Sequence, residues 1–145
     1  TELSDNYGKK MRKIGKEFGA TTGRPRRCGW FDAVAAKFST QINGLTDIAL
    51  TKLDILDSFD KIKICTGYQI NGKKITHYSD INNDNNQVEP IYETFEGWKS
   101  SLIEIKEYKF LPLKCRKYIE YLENYLDTNI SIISIGPGRN DIITK

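Results

Sequence analysis

A chain of 145 residues with 39% hydrophobic and 28% charged side chains has the composition of one globular domain with its own core. The net charge of +3 is too small to indicate a nucleic-acid-binding protein, and no apolar run predicts a membrane-spanning helix. No signal-peptide pattern opens the sequence. The three cysteines are far apart and lack metal-ligand spacing, which predicts free thiols in a reducing compartment such as the cytoplasm: Cys28, Cys65 and Cys115.

The first third of the chain predicts two helices separated by an irregular loop. Apolar residues recur at helical spacing from Ser4 to Phe18. Glycines and a proline exclude a helix interior between residues 19 and 29. A second helix is predicted from Phe31 to Ile42, with Asp32 in its first turn and Asn43-Gly44 at its end.

The middle of the chain predicts strands. Asp47 to Asp54 and Lys63 to Ile70 are apolar runs typical of buried strands. Asn71-Gly72 is a strong hairpin turn that leads into a third strand from Lys74 to Tyr78. Residues 79–89 are polar and rich in asparagine, which predicts a surface loop.

The last third is weakly patterned from Tyr92 to Lys106 and then predicts a helix and a strand. The helix, from Lys114 to Leu126, is amphipathic, and its predicted inner face consists of four residues: Tyr118, Ile119, Leu122 and Leu126. The strand, from Ile130 to Ile135, is stopped by a Gly-Pro-Gly turn. Helices that alternate with apolar strands predict an α/β fold with a hairpin at one sheet edge.

The tetrapeptide Thr51-Lys52-Leu53-Asp54 follows a predicted strand, at the carboxyl end where open α/β sheets place their ligands. It matches the guanine-specificity motif of GTP-binding proteins, in which Asn or Thr precedes Lys-x-Asp. The Asp54 carboxylate would accept two hydrogen bonds from guanine N1–H and the exocyclic amine, a pattern that adenine reverses. The stem of Lys52 would lie across the purine. Taken alone, such a tetrapeptide is more often a strand end with solvated side chains.

A second strand-end loop, Ser134 to Arg139, supplies context for that motif. Its glycines permit close approach of the backbone to a base, and Pro137 restricts the turn. An isolated Gly-Pro segment would be interpreted as a plain turn. Two strand-end loops in one small α/β unit favour nucleotide binding more than either loop does alone.

The segment from Gly19 to Arg27 combines glycines, two threonines and three arginines, and predicts a cradle for small anions. Pro25 would hold the side chains of Arg24 and Arg26 apart, as two side chains that bind different anions require. A basic surface turn that binds RNA or DNA non-specifically is the alternative. The basic residues of the chain do cluster in its first fifth, but no aromatic residue lies inside the loop to stack on bases.

Several other polar residues are assigned structural roles. His77 has no acidic or cysteine partner nearby in the sequence. Glu17 and Asp32 flank the arginine loop, where salt bridges and helix capping are the expected roles. The tyrosines at helical spacing near the C-terminus are expected to pack or to face solvent: Tyr118, Tyr121 and Tyr125.

Four segments occur in a specific order and spacing: GKEFGATTGRPRRCGWFDAVA (15–35), INGLTDIALTKLD (42–54), PIYETFEGW (90–98) and SIGPGR (134–139). Through these segments the whole chain resembles the C-terminal part of an adenylosuccinate synthase, about the last third of a family member. The resemblance implies a large sheet with flanking helices, related to the P-loop NTPases, of which this chain holds the C-terminal part. It also implies a cytoplasmic homodimer.

Members of this family join IMP and L-aspartate with the use of GTP and Mg²⁺, through 6-phosphoryl-IMP, in AMP (purine nucleotide) biosynthesis. The resemblance implies that residues 19–27 bind aspartate and IMP, through Ala20, Thr21, Thr22, Gly23, Arg24 and Arg26. It implies a GTP site formed by Arg26, Lys52, Leu53, Asp54, Ser134, Ile135, Gly136 and Pro137. No catalytic residue and no metal ligand of the family pattern falls within the chain.

The chain opens at Thr1 without an initiator methionine, which predicts a processed or incomplete piece of a longer polypeptide. Because the phosphate-binding loop, general base and metal contacts of the family are absent, we expect no synthase activity from these residues alone. We also expect an incomplete sheet and a partly exposed core. The alternative function is a stand-alone guanine-nucleotide or anion-binding module without catalysis; nucleic-acid binding ranks below both, and no membrane partner is expected.

Overall fold

The computed structural model describes residues 1–81 and 88–145. The predicted loop at 79–89 therefore lies largely outside the described residues. The described residues form three α-helices: α1 Asn6–Ile14, α2 Ala33–Asn43 and α3 Leu113–Leu126. They also include seven strands: β1 Phe31–Asp32, β2 Asp47–Leu50, β3 Lys61–Ile70, β4 Lys73–Ile75, β5 Val88–Glu96, β6 Asn129–Ser134 and β7 Ile142–Thr144. Short 3-10 turns cover Leu53–Leu56, Tyr78–Asp80 and Tyr108–Phe110.

Helix α1 is shorter than the predicted range of 4–18. The Asp5 carboxylate caps it by accepting hydrogen bonds from the amides of Tyr7 (2.9 Å) and Gly8 (3.1 Å). At the other end Gly15 closes the helix, and the backbone of Lys16 has a φ of +50°. A left-handed residue cannot continue a right-handed helix, so the chain turns away at this point.

Helix α2 begins two residues later than predicted. Phe31 and Asp32 form strand β1, and Asp32 lies at the N-cap rather than in the first turn, where its carboxylate accepts from the Ala35 amide at 3.0 Å. Gly44 ends the helix with a φ of +59°, so the predicted Asn43-Gly44 stop is confirmed.

The larger sheet is built around β3. Strand β5 runs antiparallel along one side of β3, from Lys61 opposite Glu96 to Ile70 opposite Val88. On the other side, β1 pairs in parallel and β4 pairs antiparallel. Strand β5 includes the start of the region from Tyr92 to Lys106, whose sequence pattern is weak. Its residues form a strand because they pair with β3.

The predicted hairpin between β3 and β4 is confirmed. Asn71 and Gly72 have φ values of +49° and +78°, as a two-residue type I′ turn requires. The turn places β4 at the edge of the larger sheet, since β4 pairs only with β3 among the described strands.

The smaller sheet has the order β2-β6-β7. Strands β2 and β6 are parallel, with Leu50 opposite Ile133, and β7 is antiparallel to β6. Strand β2 ends at Leu50 rather than at the predicted Asp54, because the backbone of Lys52 has a φ of +63°. The α/β class is confirmed, and the strands divide between two sheets.

The core lies between the sheets and α3. The predicted inner face of α3 is confirmed, since Tyr118, Ile119, Leu122 and Leu126 are all buried. The first three of these pack with buried side chains from β6 and the larger sheet, including Ile130, Ile133, Ile62 and Ile64. This packing sets β2 and β6 side by side and so positions the two strand-end loops.

Candidate functional site

The two strand-end loops meet at one edge of the smaller sheet. Because β2 and β6 are parallel and in register near their carboxyl ends, the segments 51–54 and 134–139 leave the sheet side by side. Together with the end of α1 they line a small cleft of about 120 Å³: Ile14, Gly15, Lys16, Lys52, Asp54, Ile55, Gly136 and Pro137. This volume suits a ring edge rather than a whole nucleotide, since small-molecule pockets are typically about 300–1,000 Å³.

Lys52 is held in an unusual backbone conformation at the mouth of this cleft. Its φ of +63° is uncommon for a residue other than glycine and costs on the order of 1 kcal/mol. The turn directs the side chain toward the end of α1, where Nζ lies 3.5 Å from the Gly15 carbonyl oxygen and forms an ion pair with Glu17. The stem of Lys52 therefore follows the wall of the cleft.

Asp54 is the second residue of the Leu53–Leu56 turn and is half-buried in the cleft. Burial raises the pKa of its carboxyl group above the usual value of 3.8, and the negative charge of Asp141 adds to this effect, while Lys52 opposes it. A partly desolvated carboxylate beside a lysine is a strong acceptor for a ligand with two adjacent N–H groups.

Asp141 organises the facing loop. Its carboxylate accepts from the Gly138 amide at 2.7 Å, and its backbone carbonyl accepts from the Ile135 amide at 2.9 Å. The Ser134 hydroxyl donates to the Gly136 carbonyl at 3.1 Å. Among the described residues no hydrogen bond is found for the amide of Gly136, a buried residue that lines the cleft. That amide can donate to a carbonyl oxygen placed in the cleft.

The arginine loop is a tight, exposed turn. The Gly19 amide donates to the Arg24 carbonyl at 2.8 Å, the Gly23 amide donates to the Gly19 carbonyl at 2.9 Å, and the Arg24 amide donates to the Thr22 hydroxyl at 3.3 Å. Gly23 has a φ of +65°, which only glycine adopts without strain. Residues 20–27 are all exposed, although the guanidinium groups of Arg26 and Arg27 form ion pairs with Glu17 and Glu2.

Arg26 connects this loop to Lys52 of the small cleft through Glu17. The two Glu17 carboxylate oxygens contact different cations: Oε2 lies 3.1 Å from Nη1 of Arg26, and Oε1 contacts Nζ of Lys52. The hydrogen bond from Lys52 is the main cause of a lowered Glu17 pKa, and Arg26 contributes. The predicted salt-bridge role of Glu17 is confirmed.

A larger cleft of about 390 Å³ lies on the other side of Lys52, between the two sheets. Its polar lining includes Glu17, Arg26, Arg27, Thr51 and Lys52. Its apolar lining includes Met11, Trp30, Leu50, Leu53 and Tyr118. Arg26 and Lys52 therefore both line the larger cleft.

The predicted site residues divide into three groups in space: those of the small cleft and the loop behind it, those of the larger cleft, and those of the exposed turn. Lys52, Asp54, Gly136 and Pro137 line the small cleft, and Arg26, Lys52 and Leu53 line the larger one. Ser134 and Ile135 lie behind the small cleft and shape its loop. The third group lines neither cleft and remains on the exposed turn: Ala20, Thr21, Thr22, Gly23 and Arg24.

Sequence reasoning missed two parts of the site. The end of α1, at residues 14–16, forms a third wall of the small cleft, which only the tertiary contact with the Leu53–Leu56 turn produces. Asp141 was also missed, because it accepts from an amide three residues before it, whereas the usual turn pattern has an aspartate that accepts from a later amide.

The remaining polar residues have structural roles. Asp32 caps α2 as predicted and also accepts from the Tyr68 hydroxyl at 2.7 Å. His77 is exposed and its nearest polar contact is the Thr76 hydroxyl, 3.4 Å away. The prediction of free thiols is confirmed for all three cysteines.

The described residues include no group of three or more His, Cys, Asp or Glu side chains that could hold a metal ion. In residues 1–81 and 88–145 no helix is both long and apolar enough to cross a membrane.

The family model of adenylosuccinate synthetase (synthase) matches residues 1–143 of the chain. The chain belongs to the adenylosuccinate synthetase family. It is 48% identical over 144 residues to the adenylosuccinate synthetase of Geobacter metallireducens, covering 99% of this chain and 34% of that protein. It is 45% identical over 145 residues to that of Christiangramia forsetii, covering 100% of this chain and 34% of the relative.

A solved structure, that of fully ligated adenylosuccinate synthetase from Plasmodium falciparum, superposes on the chain with a TM-score of 0.93 at 37% identity. The alignment covers 100% of this chain and 35% of the solved one. The chain therefore spans about a third of the length of its synthetase relatives, and its fold is that of the matching third.

Proposed function

We propose that this chain forms the C-terminal part of an adenylosuccinate synthetase, with the guanine-binding cleft and the loop for aspartate and IMP. The observation that carries the proposal is the meeting of the segments 51–54 and 134–139 at one cleft in a chain that belongs to this family. The reaction would join IMP and L-aspartate with GTP through 6-phosphoryl-IMP, in AMP biosynthesis.

The small cleft has the donors and acceptors that guanine needs. The Asp54 carboxylate would accept from guanine N1–H and the exocyclic amine, and the Gly136 amide would donate to O6. Adenine presents the reverse pattern at these positions, so it would leave the carboxylate without donors. The Lys52 stem would cover one face of the ring.

The arginine loop has the groups that a dicarboxylic amino acid needs. Thr21, Thr22 and Gly23 would offer hydroxyl and amide donors to the aspartate carboxylates, and Arg24 would offer a bidentate guanidinium to aspartate or IMP. Arg26 lies between this loop and Lys52, which supports its assignment to both the aspartate and the GTP sites.

The rest of the reaction is assigned to residues outside this chain. Mg²⁺ would neutralise charge on the GTP phosphates and would be held by residues outside this chain. We propose a cytoplasmic homodimer for the complete enzyme. The larger cleft, which is open and apolar along one side, is where further parts of a longer synthetase would pack.

A chimaera tests this proposal. The 145 residues replace the corresponding third of the Geobacter metallireducens synthetase, and adenylosuccinate formation is measured with IMP, aspartate and GTP. We expect an active chimaera that prefers GTP to ATP, and no activity from the 145 residues alone. A folded but inactive chimaera, with GTP-selective binding by the isolated chain in calorimetry, would instead support the stand-alone module.

A further inference from the structure

A single carboxylate lies between the two proposed subsites. Glu17 contacts Lys52 of the guanine cleft through Oε1 and Arg26 of the arginine loop through Oε2. Lys52 follows Glu17 by 35 residues in the chain, and Arg26 follows it by nine. Among the described residues no other carboxylate forms an ion pair with either cation.

Glu17 also fixes the backbone beside Arg26. The Arg26 amide donates to the Glu17 carbonyl at 2.9 Å, and the Arg26 carbonyl accepts from Nε of Arg12 at 2.8 Å. The guanidinium therefore extends from an anchored backbone, and only its direction depends on the Glu17 carboxylate. Lys52 is anchored in a comparable way by the left-handed turn at the end of β2.

These ion pairs contribute little to stability. The Glu17 side chain is 18% exposed, but those of Lys52 and Arg26 are 52% and 57% exposed. Ion pairs with exposed cations add little to stability, because water and salt screen them. The arrangement is therefore better explained by the orientation of two ligand-binding cations than by the stability of the fold.

We infer that Glu17 is a positioning residue that couples the guanine cleft to the anion-binding loop, an inference that rests on the proposed function. One carboxylate is shared by two cations. When an anionic ligand engages Arg26, the carboxylate is left to Lys52 and holds its stem more firmly along the cleft wall. Binding at the arginine loop therefore strengthens binding of guanine nucleotide, and the reverse holds by linkage.

The experiment measures this coupling in the active chimaera. KM for GTP is determined at low and at saturating aspartate, and KM for aspartate at low and at saturating GTP, in three proteins: the parent, Glu17→Gln and Glu2→Gln. Glu2 is the matched control because it pairs with Arg27 and contacts neither Lys52 nor Arg26.

In the parent and in Glu2→Gln, we expect saturation with one substrate to lower KM for the other by about fivefold, at the lower end of usual coupling energies. In Glu17→Gln, both KM values should rise by about tenfold and the coupling should fall below about twofold, while kcat changes by less than about twofold. Coupling that survives in Glu17→Gln, or a loss of kcat with unchanged KM values, would overturn the inference.

A second variant covers the case in which Glu17→Gln does not fold. Glu17→Asp keeps the charge but is one methylene shorter, so it can reach only one of the two cations. In Glu17→Asp we expect the KM of one substrate to be close to that of the parent, while saturation with the other substrate no longer lowers it. Coupling as strong as in the parent would refute the bridging role of Glu17. If the parent chimaera itself is folded but inactive, the proposed function fails and the inference falls with it.

Discussion

The carboxylate of Asp141 occupies the space in which a side chain on Gly136 would begin. A β-carbon added to Gly136 would lie 2.7 Å from Oδ2 of Asp141, which also accepts the hydrogen bond from the Gly138 amide. The loop at the end of β6 is thus shaped by one aspartate that requires glycine at two neighbouring positions, since a β-carbon on Gly138 would lie 2.6 Å from the same oxygen.

This relationship predicts non-additive effects on the free energy of unfolding. Gly136→Ala should cost about 1–3 kcal/mol through the steric clash, and Asp141→Ala should cost about 1–3 kcal/mol because the Gly138 amide loses its acceptor. In the double variant the alanine β-carbon fits the vacated space, so the total cost should be smaller than the sum by at least about 0.5 kcal/mol. Urea unfolding of the four proteins measures this, and additive costs would contradict it.

The proposed guanine cleft predicts a loss of selectivity in Asp54→Asn. The amide offers one acceptor in place of a bidentate carboxylate, so kcat/KM for GTP in the chimaera should fall about 100-fold, with little change for ATP. Asp47→Asn is the matched control, because Asp47 is exposed and lies at the opposite end of strand β2. Equal losses for GTP and ATP in Asp54→Asn would argue against base recognition by this residue.

The same residue predicts a pH dependence of GTP binding. Burial raises the pKa of Asp54 above 3.8, and only the ionised carboxylate accepts two hydrogen bonds. KM for GTP should therefore rise as the pH falls, beginning at a higher pH than for an ordinary aspartate. The rise should be absent from Asp54→Asn, in which position 54 does not titrate.

Asp57 is predicted to stabilise the fold rather than to bind a ligand. Its carboxylate accepts from Nε1 of Trp98 at 2.8 Å and from the Leu102 amide at 3.0 Å. Asp57→Ala leaves both donors unpaired and should lower the free energy of unfolding by about 2–4 kcal/mol. Asp60→Ala, which removes only an exposed pair with Lys99, should leave the midpoint of the same urea titration nearly unchanged.

Burial also raises the pKa of Asp57 above 3.8. Between 3.8 and the folded-state pKa the native protein therefore binds more protons than the unfolded chain, so the contribution of this group to stability falls as the pH rises through that window. Urea midpoints of the parent and of Asp57→Ala should accordingly differ most at the acidic end of the window. If the difference between the two urea midpoints grew with pH across this window, the raised pKa of Asp57 would be contradicted.

The three cysteines should differ in reactivity. Cys65 and Cys115 are fully buried, and burial raises the pKa of both thiols, that of Cys115 to about 12. Cys28 is only half-buried. A thiol reagent at pH 8 should modify one cysteine per folded chain quickly and all three after denaturation. Cys28→Ser should abolish the fast phase, and a fast phase that remains would show that a buried thiol becomes accessible.

Several features follow from local sequence because they depend on neighbours in the chain. The buried face of α3 follows from residues three and four apart, Tyr118 and Leu122 among them. The hairpin follows from Asn71-Gly72, since only such pairs adopt two positive φ angles at low cost. The loops at 51–54 and 134–139 follow strands that are recognisable from their apolar runs, and the family segments were recognisable from order and spacing alone.

Other features depend on residues that are far apart in the chain. Strand β5 has a weak pattern of its own and forms because β3 offers a full-length partner. The division of the strands into two sheets, the α1 wall of the small cleft, and the contacts of Glu17 with Lys52 and Arg26 all come from long-range packing. Sequence determined which side chains were available at the two loops. Only the tertiary structure decided which of them share a cleft, because the energy that brings them together lies in the buried core behind them.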